Sequence, residues 1–172
     1  MISDTFATLD AGKWSTLNAT LPVSGQVSVV APGSVMTTST GVDDECYVTI
    51  EVLTIQDQSH PGLAIVDATA PFQNYRSLIF NGAGLAINWG AVPTSTSVAQ
   101  KPTYLGIALH AGLVFYLYTA GNQAGWQLLG SDARPNWMGL PHDAGSFFNY
   151  TVSGKTASFT NYNIKAITLA DL

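Results

Sequence analysis

Residues 104–119 read Tyr-Leu-Gly-Ile-Ala-Leu-His-Ala-Gly-Leu-Val-Phe-Tyr-Leu-Tyr-Thr, and the choice of fold turns on them. They lie between Lys101 and Asp132, a stretch with no Asp, Glu, Lys or Arg inside it. A membrane-spanning helix is one reading of such a stretch, and it needs roughly 20 consecutive apolar residues. Here Gly106, His110 and Ala111-Gly112 interrupt the run, and Asn122 and Gln123 soon follow. A period of two fits better. Leu105, Ile107 and Leu109 share one face of a strand, His110-Ala111-Gly112 makes a turn, and residues 113–119 return as a second strand. The expectation is a buried β-hairpin with no membrane insertion.

The same period extends outward. Residues 26–31 and 34–38 alternate on either side of Pro32-Gly33, a turn signal. Residues 47–55 place Val48, Ile50 and Val52 on one face, and Tyr47, Thr49 and Glu51 on the other. Strands are also expected at 63–67, 75–80, 85–89, 126–129, 147–152 and 157–169, with Asn81-Gly82 as a hairpin cue. No window has a convincing helical period. Many short strands separated by Gly and Pro predict one all-β domain over residues 1–172, a two-sheet antiparallel β-sandwich of jelly-roll type. Two loops are predicted, a Ser/Thr-rich excursion at 91–102 and a bulky one at 130–145.

Composition narrows the function. Only 10% of the 172 residues are charged, against roughly 25% in an average soluble domain. Ser, Thr, Asn and Gln fill the gap. Disorder is excluded, because disordered chains combine low hydrophobicity with high charge. Six Lys and Arg residues at net charge −5 also exclude nucleic acid as a partner. Met1-Ile2-Ser3-Asp4 carries no basic segment and no apolar core follows it, so no secretory signal is expected. Asn18-Ala19-Thr20 and Asn149-Tyr150-Thr151 match the glycosylation pattern by accident on that reading. Cys46 begins an apolar alternation and reads as a buried thiol.

The order of segments resembles the concanavalin A-like (laminin-G-like) jelly-roll family. Four stretches carry the resemblance: Asp4-Thr5-Phe6 with Leu9-Asp10-Ala11-Gly12-Lys13-Trp14; Asp43-Asp44-Glu45-Cys46-Tyr47-Val48; Leu113–Tyr118 with Asn122 and Trp126-Gln127-Leu128-Leu129-Gly130; and the closing run 152–164. The resemblance implies a concanavalin A-like sandwich. The compact chain also resembles bacteriophage virion proteins built on such domains, which implies a place on a virion, after synthesis in the host cytoplasm.

Glycan-cleaving members of this superfamily carry clustered carboxylates, Glu-x-Asp-x-x-Glu-like, on one inner strand. The chain has two glutamates, Glu45 and Glu51, about 20 Å apart along a strand at 3.4 Å per residue, too far to flank one glycosidic bond. There is no Gly-x-Ser-x-Gly elbow, and His60, His110 and His142 lack ligand-like spacing. The expectation is therefore no enzyme and no cofactor. Calcium is a minor alternative at Asp43-Asp44-Glu45, where an acidic turn is the plainer reading.

Binding remains. Aromatic faces and planar polar groups hold sugars, so Trp137, Arg134, Asn136 and Asp143 in the second loop, with Trp89 and Tyr75, are the candidate ligand-binding residues. Trp137 reads either as a binding or interface residue or as loop packing. Trp14 reads as core, and Trp126 as core or concave face. Two functions follow: a non-enzymatic, lectin-like phage protein contacting host cell-surface polysaccharide, or a structural decoration or tail-assembly subunit. The partners of the second would be copies of itself or other virion proteins, because interface cores are depleted in charge.

Overall fold

The computed structural model describes residues 2–8, 10–20, 22–38, 45–71, 73–82, 84–88, 94–97, 101–120, 125–138, 143–151 and 153–166. Its elements, in chain order, are β1 (Ile2–Asp4), β2 (Trp14–Ala19), β3 (Val27–Thr37), β4 (Cys46–Ile55), β5 (Ser59–Asp67), β6 (Tyr75–Phe80) and β7 (Gly84–Asn88). There follow β8 (Thr94–Ser97), β9 (Pro102–His110), β10 (Leu113–Ala120), β11 (Gln127–Ala133), β12 (Asp143–Thr151) and β13 (Thr156–Ala166). The fold is all-β and every pairing is antiparallel. Among the described residues the strands form one continuous sheet, β11-β10-β9-β4-β13-β3-β12-β5-β6-β7-β8, with β1 on β13 and β2 on β3; it folds over at β3 into two layers, β11 to β13 in this order and β3 to β8.

The hairpin 104–119 forms as expected. β9 and β10 pair from Leu113↔His110 outward, and the turn closes on Ala111 (φ 49°) and Gly112 (φ 76°), the left-handed pair a two-residue hairpin requires. Leu105, Ile107 and Leu109 are all fully buried. Among the described residues no helix is long and apolar enough to cross a membrane.

Pro32-Gly33 departs from the expectation. It is not a turn: β3 runs straight through it and changes layer there. Val27–Val30 pair with β13, whereas residues 33–36 pair with β12 and residues 34–37 with β2. Pro has no N–H to give a ladder, and it stands between the two pairing zones, where none is demanded. Gly33 is needed because a Cβ there would come within 2.5 Å of the Val30 carbonyl oxygen and 2.7 Å of that of Leu17. Both predicted loops are also shorter than expected. β8 occupies part of 91–102, and β11 and β12 trim 130–145 from both ends.

Between the layers lies one large apolar cluster. Phe147 sits amid four rings, with centroids 5.4 Å from Phe6, 5.9 Å from Trp14, 5.0 Å from Phe159 and 5.8 Å from Tyr162. Trp14 is core, as expected, and its indole N–H donates to Asp4 Oδ2 at 2.8 Å. Asp4 Oδ1 accepts the Phe6 amide at 2.7 Å. These two bonds explain the spacing of Asp4, Phe6 and Trp14: the carboxylate pins the segment that carries both rings into the core. Cys46 is buried there too.

Asn149 shows why a sequence pattern misleads. Its side chain is 1% exposed. It accepts the His60 amide and donates to the Val29 and Lys155 carbonyls at 3.0 and 2.9 Å. A fully satisfied buried amide locks β12 to its neighbours and is closed to glycosylation.

Candidate functional site

The second layer has one face on the core and one face open. Strand alternation sorts its residues. On β12, Phe147 and Asn149 point inward, while Ser146, Phe148 and Tyr150 point outward. On β5, Leu63 and Ile65 are core, and Ala64 and Val66 face the other way. The outward set, with Tyr75, Ser77 and Ile79 of β6, Ser34 and Met36 of β3, and Ser15 and Leu17 of β2, lines a groove of about 540 Å³.

Small residues give the groove its depth. Phe148 stands opposite Gly62, and a Cβ on Gly62 would overlap the Phe148 ring. Only glycine lets that ring lie flat on the sheet. Phe148, Met36 and Tyr75 pack around Ala64, Val66 and Ala144, a small apolar patch separate from the main core. Ser15, Thr16, Ser34, Ser77 and Ser146 bring hydroxyl side chains to the lining. Ser146 donates to the Val35 carbonyl at 3.2 Å, and Tyr150 stands at the rim, 61% exposed.

No Asp, Glu, Lys or Arg is among the described residues that line the groove. The charged residues of the same strands turn to the opposite face. Asp67 and Asp143 are cross-strand partners, 5% and 0% exposed. Asp67 accepts bonds from the Thr69 amide, the Thr69 hydroxyl and the Asn74 amide group at 2.8, 2.6 and 3.0 Å, fastening the turn into β6. Arg76 lies 3.8 Å from Asp132, which also accepts the Tyr116 hydroxyl at 3.0 Å, so this group bridges the two layers.

The residues singled out from the sequence scatter. Tyr75 lines the groove. Trp137 is half-buried and packs against the main core, the loop-packing alternative, rather than standing exposed beside a groove. Arg134 is half-buried, with its amide donating to the Gly112 carbonyl at 3.0 Å. Asn136 is exposed, Asp143 is buried on the core side of β12, and neither belongs to the groove. Trp89 and His142 lie outside the described residues. Phe148, Tyr150 and the groove serines escaped sequence reasoning. Their one local signal is the run Ser146-Phe147-Phe148-Asn149-Tyr150, which puts an aromatic on each face of a strand.

Of the acidic cluster proposed for calcium, Asp43 and Asp44 lie outside the described residues. Glu45 accepts the Ala111 amide at 2.9 Å and pairs with the His110 ring. The Ala111 amide first, and then His110, hold its carboxyl below the usual glutamate range. Glu45 thus staples the β9–β10 turn. Among the described residues no group of three His, Cys, Asp or Glu side chains converges.

No protein-family model and no curated protein matches the sequence. Solved structures do match its fold. A xylan β-1,4-xylosidase from Bacillus halodurans superimposes with a TM-score of 0.70 at 14% identity, over 94% of this chain. The β-glucanase of Bacillus licheniformis gives 0.63 at 9% identity, covering 97% of each chain. A structure reported with the endo-acting O-glycanases of prominent human gut microbiota gives 0.70 at 7% identity, over 98% of this chain and 99% of its own. This chain spans only 38% of the xylosidase. At these identities the likeness establishes the fold: an all-β, concanavalin A-like jelly roll.

The comparisons also correct the functional expectation. The like-folded structures just described are a xylosidase, a β-glucanase and one reported with O-glycanases, which points to carbohydrate-active enzymes. The expectation of a non-enzymatic phage protein, whether lectin-like or structural, is therefore overturned. The phage role had rested on a resemblance of fold, and the absence of activity on two glutamates too far apart to flank one bond. In the structure, an apolar floor bordered by neutral polar side chains lines the groove.

Proposed function

We propose that this chain is the glycan-holding β-sandwich of a carbohydrate-active enzyme, and that the groove on the second layer grips a stretch of neutral polysaccharide. The observation that carries this is the lining itself. An apolar floor with Tyr75, Phe148 and Tyr150 offers faces for the C–H surfaces of sugar rings, and the surrounding serines offer hydroxyls for hydrogen bonds. A described lining without charge suits uncharged chains and gives nothing to an acidic one. The names of the like-folded proteins, which act on xylan and β-glucan, support the ligand class.

Hydrolysis by two flanking carboxyl groups needs acids on the substrate side, and the described lining supplies grip rather than acids. The xylosidase, of which the matched part is a minor share, supports a sandwich working beside further enzyme machinery.

Affinity electrophoresis in gels containing xylan, mixed-linkage β-glucan or xyloglucan tests the reading. At least one polysaccharide should retard the protein. Tyr75→Ala should weaken that retention about tenfold, the equivalent of one lost stacking contact worth about 1.4 kcal/mol. No retardation by any of the three, or retention unchanged in both Tyr75→Ala and Tyr150→Ala, would overturn it. Reducing-end release on the same polysaccharides separates holding from cutting.

A further inference from the structure

The first layer also has an outer face, and it carries a second constellation that the groove does not explain. Trp126 is 44% exposed, although it just precedes β11 in an otherwise strand-rich region. Its ring rests on β9 at Gly106, where a Cβ would lie 3.1 and 3.3 Å from the indole Cζ3 and Cη2 atoms. Any larger residue at 106 would lift the ring off the sheet. Tyr104, two residues earlier on the same face, meets the indole edge-on at 6.2 Å between centroids. The Tyr104 hydroxyl donates to Glu51 Oε2 at 2.8 Å. Asn161 donates its side-chain amide to the same oxygen.

The backbone is shaped to make this meeting. Along β13, Thr160 pairs with Glu51 and Asn163 with Thr49, so residues 161 and 162 together face Ile50. That is a β-bulge, a device that re-aims side chains, and Asn161 takes a left-handed φ of 49° within it. The extra residue lets Tyr162 enter the core while Asn161 reaches outward to Glu51. Among the described residues, Glu51 Oε1 and the Trp126 indole N–H have no hydrogen-bond partner. A held indole face beside a fixed carboxylate and amide, each with capacity left over, is what a pyranose ring requires: a platform for its C–H face and an acceptor for its hydroxyls.

We infer that Trp126, backed by Gly106 and flanked by Tyr104, Glu51 and Asn161, forms a second stacking site for a neutral sugar unit, on the opposite face of the sandwich from the groove. The inference shares with the proposed function only the reading that the chain works on carbohydrate. Its consequence is bivalence. Two glycan segments are held at once on opposite faces, so retention on an insoluble polysaccharide exceeds what either site gives alone.

The test follows the Trp126 indole N–H cross-peak, assigned with Trp126→Phe, in ¹H–¹⁵N spectra during titration with xylohexaose, cellohexaose and laminarihexaose. The peak should shift saturably with at least one hexaose, both in the wild type and in Tyr75→Ala. Glu51→Gln should weaken that binding about tenfold, and Trp126→Ala, at an exposed position, should keep the wild-type melting curve while losing this site. Trp126→Ala and Tyr75→Ala should each reduce pull-down on insoluble xylan or glucan, and the double variant should abolish it. A peak unmoved by millimolar hexaose overturns the second site, as does a shift that disappears in Tyr75→Ala. If pull-down is unchanged in Tyr75→Ala and abolished by Trp126→Ala alone, the groove reading fails and this one stands. Self-association in sedimentation that Trp126→Ala dissolves, without any hexaose effect, would assign the face to a second copy of the chain and overturn the inference.

Discussion

Phe147→Ala lowers the stability of the fold by about 3–5 kcal/mol, the usual cost of emptying a buried Phe site. The ring is fully buried and central to four others contributed by the amino-terminal segment, β2 and β13. Those neighbours are fixed by strand pairing and by the Asp4 bonds, so they cannot close the space and the cavity persists. Domains of this size carry about 5–15 kcal/mol in total, so one side chain accounts for a large share. Urea unfolding should show a much lower midpoint with an unchanged slope. Phe148→Ala is the matched control one position away. It opens to the groove, is half-buried, and should cost well under half as much. Equal losses from the two variants would mean that β12 is not the divider between core and groove.

Gly145→Ala produces the second large effect, by overpacking. A Cβ at 145 would overlap the Tyr162 hydroxyl oxygen and sit 3.3 Å from Val48 Cγ1. Tyr162 cannot swing aside, being fully buried with its ring edge-on to Trp14 at 5.0 Å. Overpacking of this kind costs about 1–3 kcal/mol or more. The remedy is specific. Among the described residues the Tyr162 hydroxyl has no hydrogen-bond partner, and burial pushes its ionisation well above the ordinary tyrosine range, so it contributes neither a bond to them nor a charge. Tyr162→Phe alone should therefore be neutral or stabilising by about 1 kcal/mol, since an orphaned buried hydroxyl is itself a cost. In the double variant the nearest ring atom is Cζ, 3.1 Å from the new methyl group, which small shifts absorb. A double-mutant cycle should yield a coupling of about 2 kcal/mol. A double variant no more stable than Gly145→Ala would sink this account.

Glycines mark the limit of what the sequence revealed. The hairpin 104–119 was legible because its alternation, its turn and its buried face all lie within sixteen consecutive residues. The jelly-roll class was legible for the same reason, repeated along the chain. What was not legible is register between strands far apart in sequence. Gly62 lies under Phe148, Gly106 under Trp126 and Gly145 against Tyr162. Each glycine is placed to accommodate a ring that no local window contains. Pro32-Gly33 failed in the same way: the pair that usually turns a chain here carries it from one layer to the other.

The candidate site suffered most from this. Trp137, Arg134 and Asn136 were chosen because bulky polar residues in a long loop usually mean function, and the loop proved shorter, with Trp137 tucked against the core. Tyr75, a candidate from the sequence, does line the groove. Its partners Phe148 and Tyr150 come from another strand and needed the pairing of β5, β6 and β12 to be known. Function was misread through the resemblance, because a likeness of fold to phage proteins carries no role by itself, and through the two distant glutamates, which were taken to exclude an enzyme.

The passage of β3 through both layers has a mechanical consequence. Ser34 and Met36 line the groove, while Val27–Val30 of the same strand are stitched to β13 in the other layer. On the proposed function, tension on a polysaccharide in the groove would enter a peptide backbone that continues, bond by covalent bond, into the opposite layer. Sliding one layer over the other would have to stretch or tear that chain, as well as unseat side chains across the core. A load on the groove wall would in this way be shared with the opposite wall within a single strand, in addition to the connections that join the layers at their ends.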